Sequence, residues 1–458
     1  MIDYQAMSHN DEYRRKLISA DEAAGLVKPG MWVDYGSLCG FPLLIDEKLA
    51  RRASELERVK IRAYGAPTEP HVLKADPKQE HFIYNSWRFS SADRKYHDIG
   101  CCSYIPSNLN EMPRMYREWL KDETEIAFIE VTPMDKHGYF NFGASITFHK
   151  ALCDTARTVV VEVNESQPWV RGGYDEVIHV SQVDYIVENS EYKIPEIPVA
   201  DTGKTSEEIA ENAVTLIEDG ATLEFGIGAI PNAVGKLLIK HGLKDLGIHS
   251  GTLTDSMVDM IEAGVVTGRK KSLNPGKVVH CCALGSRRLY EFIRDNTMIA
   301  GFPSDYTHDI QVIARNHKQV AVNGAIKVDL TGQVCSESVG YRQISGTGGQ
   351  LNFTRGASMS SGGKALICLP SSYRDKNGKL RSNIVPHLEF GDIVTVPRSE
   401  SSYIVTEFGT VNLKGKSTWQ RTKLLTSIAH PELRDGLEEA AGGRNLITRG
   451  SAELSPDG

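Results

Sequence analysis

The sequence predicts an α/β protein of two domains, each with a mainly parallel sheet flanked by helices. Three observations carry that expectation. Short β-branched runs alternate with amphipathic helical segments along most of the chain, the order that builds parallel sheets buried on both faces. The length of 458 residues is enough for two or three domains. A polar, proline-bearing stretch from Ile194, IPEIPVADTGKTSEEIAE, interrupts the alternation and sets a boundary between residues 1–199 and 200–458.

Taken in order, TEIAFIEVTPMD (from Thr124), TARTVVVEVNE (from Thr155) and VDYIVENS (from Val183) read as strands. The boundary runs into the helix TSEEIAENAVTLIEDG, opened by a capping box at Ser206, with Thr205 beside it and glutamates close by. GATLEFGIG, LGIHS, GKVVHCCALG, KQVAVNGAIKVDL, GGKALICLP, DIVTVP and SSYIVTEFG read as further strands, and IPNAVGKLLIKHG as a second helix. No residue-level repeat links the two halves. The tail GGRNLITRGSAELSPDG is weakly patterned and reads as frayed.

Composition narrows the function classes. Hydrophobic content of 40% and charged content of 24% describe an ordinary globular protein. A formal net charge of -7 argues against a nucleic-acid partner, because no basic field is present to release counterions. The one basic cluster, Arg269-Lys270-Lys271, reads as a solvated turn. The polar start MIDYQAMSHNDEYRRKL lacks an apolar signal core, and no run approaches the roughly 18 apolar residues of a spanning helix. A cytoplasmic protein without membrane contact is the expectation. Eight cysteines, including the neighbours Cys101-Cys102 and Cys281-Cys282, form no CxxC and read as buried thiols. His149 and His308 have no ligand-spaced partners, so no metal is expected. DTGKTS is not a phosphate-binding loop, since Pro198 stands where that motif needs glycine.

Three stretches have the makings of a site. In GATLEFGIGAIPNAV a strand meets Gly226-Ile227-Gly228, and Pro231 opens a helix where its missing N–H is tolerated. The turn serves either an anion, through close backbone approach and the helix start, or only a tight strand-to-helix crossing. In ISGTGGQ the glycines Gly346, Gly348 and Gly349 form either an amide nest for an oxyanion or cofactor chain, or a surface loop. In GIHSGTLTDSMVDMIEAGV, His249, Ser250, Thr252, Thr254 and Asp255 surround Gly251, at the strand-to-helix position where α/β proteins place chemistry. Capping by Thr254 or Ser250 accounts for that turn equally well. Glu165, Glu337 and Glu407 are each either buried and perturbed or capping.

Together, in this order, EFGIGAIPNAV, GIHS…TD, NPGKVV…LGSRRLYEF, VDLTGQVCSESVGYRQISGTGGQLNF, SGGKALI and YIVTEFGTVNLKGKS resemble the acetyl-CoA hydrolase/transferase family. DYGSLCGFP, SYIPSNLNEMPRMY and VTPMDKHGYFNFG extend the likeness into the first half. Within the family I CoA-transferases, the pattern is similar to the 4-hydroxybutyrate and butyryl-CoA:acetate branch. The resemblance implies two CoA-transferase-type domains with the site between them, commonly in a homodimer, and an acyl-CoA substrate with a carboxylate acceptor. It implies that Gly226, Ile227, Gly228, Ala229 and Ile230 line the coenzyme A site, and that Gly348 and Gly349 offer amides near the thioester. A glutamate attacks the acyl-CoA in such enzymes, giving an anhydride and then a glutamyl-CoA thioester before CoA passes to the acceptor.

That glutamate follows the HS of the GIHS turn. Here the position is Gly251, and Asn352 replaces a second acidic residue of the family pattern. Glycine forms no anhydride, so glutamyl-CoA transfer is disfavoured unless Glu337, just before the glycine-rich loop, substitutes. The alternatives are thioester hydrolysis, or C–C hydrolysis of a β-keto acyl-CoA, by a water that His249 or Asp255 activates, and a non-catalytic acyl-CoA-binding homologue. Phe41, Trp87, Tyr139, Phe140 and Phe142 read either as core or as the lining of a bulky acyl pocket.

Overall fold

A computed structural model describes residues 8–198 and 202–447. The chain divides into two compact units. The first runs through Pro198 and also takes Val279–Thr307, and the second holds the remainder. The expected boundary at residue 199 falls outside the described residues, as do residues 448–458 of the tail. That Val279–Thr307 folds with the first unit is a non-local fact that no composition shift announces.

The first unit is built on a seven-stranded parallel sheet. Its order across the sheet is Ser103–Tyr104, Phe82–Ser86, Val59–Ala63, Trp32–Tyr35, Ile126–Val131, Thr158–Asn164 and Tyr185–Asn189. Every residue of Ile126–Val131 is buried, as a strand covered on both faces requires. The chain order reverses between Trp32–Tyr35 and Ile126–Val131, where both neighbours pair in parallel.

The second unit repeats the principle with different wiring. Its six strands lie in the order Gly247–Ile248, Thr222–Phe225, Gln319–Gly324, Lys364–Cys368, Tyr403–Thr406 and Gly409–Asn412. Only the last pair is antiparallel. Numbered by chain, the parallel strands run 2-1-3-4-5, so the order reverses between Thr222–Phe225 and Gln319–Gly324. Doubly wound sheets bind ligands outside the carboxyl ends of their strands at such a reversal. Helix Lys204–Val214 packs on helix Ala229–Lys240, and helix Gln350–Met359 covers the strands Gln319–Gly324 and Lys364–Cys368.

The α/β expectation holds, with corrections to individual elements. DIVTVP forms no strand; only Val396 makes a single bridge, to Val334. Helix Lys204–Val214 starts after Gly203, one turn ahead of the expected capping box, and has no side-chain cap. Helix Ala229–Lys240 begins two residues before Pro231, which still lies in the first turn, where an N–H has no helical partner. All eight cysteines are free and buried. Among the described residues no helix is long and apolar enough to cross a membrane.

Candidate functional site

The candidate turns of the second unit, at Gly226 and Gly251, sit at the carboxyl ends of adjacent strands. Thr222 pairs with Gly247 and Leu223 with Ile248. The Ser250 hydroxyl then donates to Thr252 O at 2.9 Å and more weakly to Phe225 O at 3.5 Å. Continuing this register sets Gly251 opposite Gly226. Gly226 N donates to Val322 O at 3.0 Å, and Gly228 adopts φ 138°, which an L side chain rarely adopts. Helix Ala229–Lys240 leaves directly from this turn. Ile227 is half exposed, so the turn presents backbone outward and buries no side chain of its own.

The expected caps are not made. Thr254 occupies the N-cap of helix Asp255–Glu262, but its side chain gives no cap bond and instead meets Ser256 Oγ at 3.1 Å. Asp255, in the first helical turn, suits the positive end of the helix and is buried. His249 is fully buried. Its N–H donates to Leu223 O at 3.0 Å, and its carbonyl accepts from Gln319 Nε2 at 3.2 Å.

Gly251 itself has a neighbour the sequence does not reveal. A Cβ built there would lie 2.5 Å from His308 Nε2, 2.8 Å from His308 Cε1 and 3.6 Å from Phe353. A Cβ on Gly349 would also lie 2.5 Å from His308 Nε2, and closer still to Cδ2. One imidazole therefore fills the side-chain volume of both glycines. His308 is 2% exposed. Its ring meets Phe353 edge-on at 5.0 Å, and the His249 ring approaches the same phenyl at 6.3 Å. Gly349 is the N-cap of helix Gln350–Met359, which carries Phe353, and Gly348 before it has φ 54°. The GIHS turn and the glycine-rich loop thus meet across His308.

Glu337 is tied up in that loop. Its carboxylate accepts from Thr395 Oγ1 at 3.0 Å, Thr347 Oγ1 at 3.3 Å and Gln343 Nε2 at 3.4 Å, while its carbonyl accepts from Ile344 N and Ser345 N. Such bonding holds the strand turn and the loop together. Glu407 accepts from both Ser371 N and Ser371 Oγ, and Glu165 is exposed. Phe41, Trp87, Phe140 and Phe142 are core residues, whereas Tyr139 is exposed.

Two buried ionisable groups near these strand ends went unread in the sequence. Glu224 is the one charged residue of the fully buried strand Thr222–Phe225. Burial pushes its carboxyl up to about 8, opposed by a 2.7 Å bond from Asn323 Nδ2. Lys271 is pulled down to about 7 by burial and donates to Ile248 O and Lys277 O. His308 had no local signal, because its significance lies in what it touches.

Two doubly wound units, the second with glycine turns over the reversal of its strand order, define an α/β enzyme scaffold. Residues 1–198 match the acetyl-CoA hydrolase/transferase N-terminal domain and residues 285–441 match its C-terminal domain. The chain belongs to the acetyl-CoA hydrolase/transferase family and is an enzyme acting on CoA thioesters. It is 41% identical over 435 residues to the butyryl-CoA:acetate CoA-transferase of Anaerostipes caccae, covering 94% of this chain and 97% of that one. It is 38% identical over 431 residues to the 4-hydroxybutyrate coenzyme A transferase of Clostridium kluyveri, with 94% and 98% covered. RipA from Yersinia pestis matches with a TM-score of 0.87 at 33% identity, over 96% of this chain and all of that one.

Proposed function

We propose that this chain hydrolyses short acyl-CoA thioesters with water, in place of passing CoA through an enzyme-bound glutamyl thioester. The observation that carries the reading is at residue 251. The family resemblance puts the nucleophilic glutamate there, and this chain has Gly251 with the His308 ring in the volume a side chain would need. Glu337, the carboxylate proposed as substitute, already accepts three side-chain bonds that hold its loop. In this reading Gly226, Ile227, Gly228, Ala229 and Ile230 receive coenzyme A. The amides of Gly348 and Gly349 face the oxyanion that forms when water adds to the thioester carbonyl, an interaction whose loss costs about 10²–10³ in turnover elsewhere. The relatives named for butyryl-CoA and 4-hydroxybutyrate suggest a short acyl chain.

The test is butyryl-CoA with and without acetate, with free CoA and acetyl-CoA quantified separately. Hydrolysis predicts free CoA at a rate indifferent to acetate. Acetyl-CoA formed at the expense of free CoA would show transfer and refute the reading.

A further inference from the structure

We infer that His308 is the general base of this reaction, a catalytic residue that stands where the family's glutamate side chain would begin. The inference rests on the hydrolytic reading above. Three features of the geometry support it. The imidazole abuts Gly251 on one side and Gly349 on the other, within 2.5 Å of the Cβ position of each. It therefore touches both the nucleophile position and the loop whose amides face the thioester. Phe353 sets the ring edge-on at 5.0 Å, which limits its rotation. Of the two bases the sequence offers, His249 and Asp255, His249 meets Phe353 from farther away at 6.3 Å and holds its backbone in the strand end.

Replacing a carboxylate by an imidazole changes which chemistry survives. A glutamyl carboxylate can carry CoA as a thioester between half reactions, whereas an imidazole base only moves a proton. His308 Nε2 takes a proton from water as the water oxygen bonds to the thioester carbonyl carbon, and the carbonyl pair moves onto oxygen. Collapse of the tetrahedral intermediate breaks the C–S bond and expels CoA thiolate. The thiolate takes the proton from the imidazolium, giving a free carboxylic acid, CoA and neutral His308.

The test measures free CoA from butyryl-CoA with the whole chain and its His308→Ala and His308→Gln variants. Both are expected to lose turnover by about 10²–10⁴-fold with KM little changed. Added imidazole is expected to restore at least about tenfold to His308→Ala, whose cavity admits it, and none to His308→Gln. Should His308→Ala not fold, the unrescued loss in His308→Gln, read beside its KM, carries the same prediction. Variants that keep turnover within about threefold, while the natural chain hydrolyses, overturn the role of His308 and leave the hydrolytic reading intact. A natural chain that releases no CoA overturns both. An acyl group recovered on His308 by peptide mass spectrometry overturns the base in favour of a nucleophile. Separately, Gly251→Glu is expected to gain CoA exchange onto acetate only when combined with His308→Ala. Equal exchange in the single variant would show that the ring does not own that volume.

Discussion

The two units reverse their strand order in the same way and finish the reversal differently. In the first unit, Trp32–Tyr35 runs into Gly36 and Ser37. The Ser37 N–H donates to His149 Nε2 at 2.7 Å, and its hydroxyl meets Ser145, Thr147 and the same Nε2 at 2.8, 2.6 and 3.1 Å. His149 packs on Gly40 much as His308 packs on Gly251. Burial pulls His149 down to about 3, so it stays neutral at ordinary pH. In the same unit, Glu130 and Glu162 lie on paired strands, both raised chiefly by burial, and Gln167 ties Glu130 to Cys39 O. In the second unit the strand ends carry glycine turns. In the first unit the buried imidazole is tied through Nε2 to the backbone and hydroxyl of Ser37, whereas in the second the imidazole of His308 lies against two glycines.

The sharpest way to break this contrast is Gly349→Ala. Its new methyl would enter the His308 ring, and we expect a loss of turnover of about 100-fold or more, measured as CoA release beside a melting curve. A variant as active as the natural chain would place the ring elsewhere. On the first unit, Ser37→Ala leaves Ser145, Thr147 and one His149 contact short of a partner and should lower stability by about 1–3 kcal/mol in urea unfolding. No change would mean the network is not structural.

Glu224→Gln probes the second unit through pH. The folded carboxyl titrates near 8 against an ordinary 4.5, so the folded state holds a proton that the unfolded chain has released between those values. The natural protein is therefore destabilised progressively as pH rises from about 4.5 to 8. The variant should gain on it across that window, by up to a few kcal/mol, in melts at pH 5 and pH 8. A constant gap would show an ordinary carboxylate. The smallest effect is expected for Glu337→Gln: turnover reduced by at most about tenfold, because only the loop's bonding is altered. Abolished turnover would instead make Glu337 the reacting group.

The sequence carried more of the second unit than of the first. Strands such as Gln319–Gly324 and Lys364–Cys368 are legible because their central residues, Val320 to Val322 and Ala365 to Cys368, are apolar and buried. Trp32–Tyr35 and Val59–Ala63 are not, because the pair Asp34–Arg62, joined at 2.7 and 2.9 Å, puts charge inside buried strands. DIVTVP misleads in the opposite sense, with strand composition but a single bridge. The glycine turns were visible because glycine is itself the signal. His308 was not, since nothing in THDI marks a ring that reaches residues 251 and 349.

The most direct test of the central claim is the intact mass of the enzyme, quenched during turnover of butyryl-CoA. Water chemistry at a glycine-lined site predicts an unmodified chain while free CoA accumulates. An enzyme-bound CoA adduct that acetate discharges would contradict it.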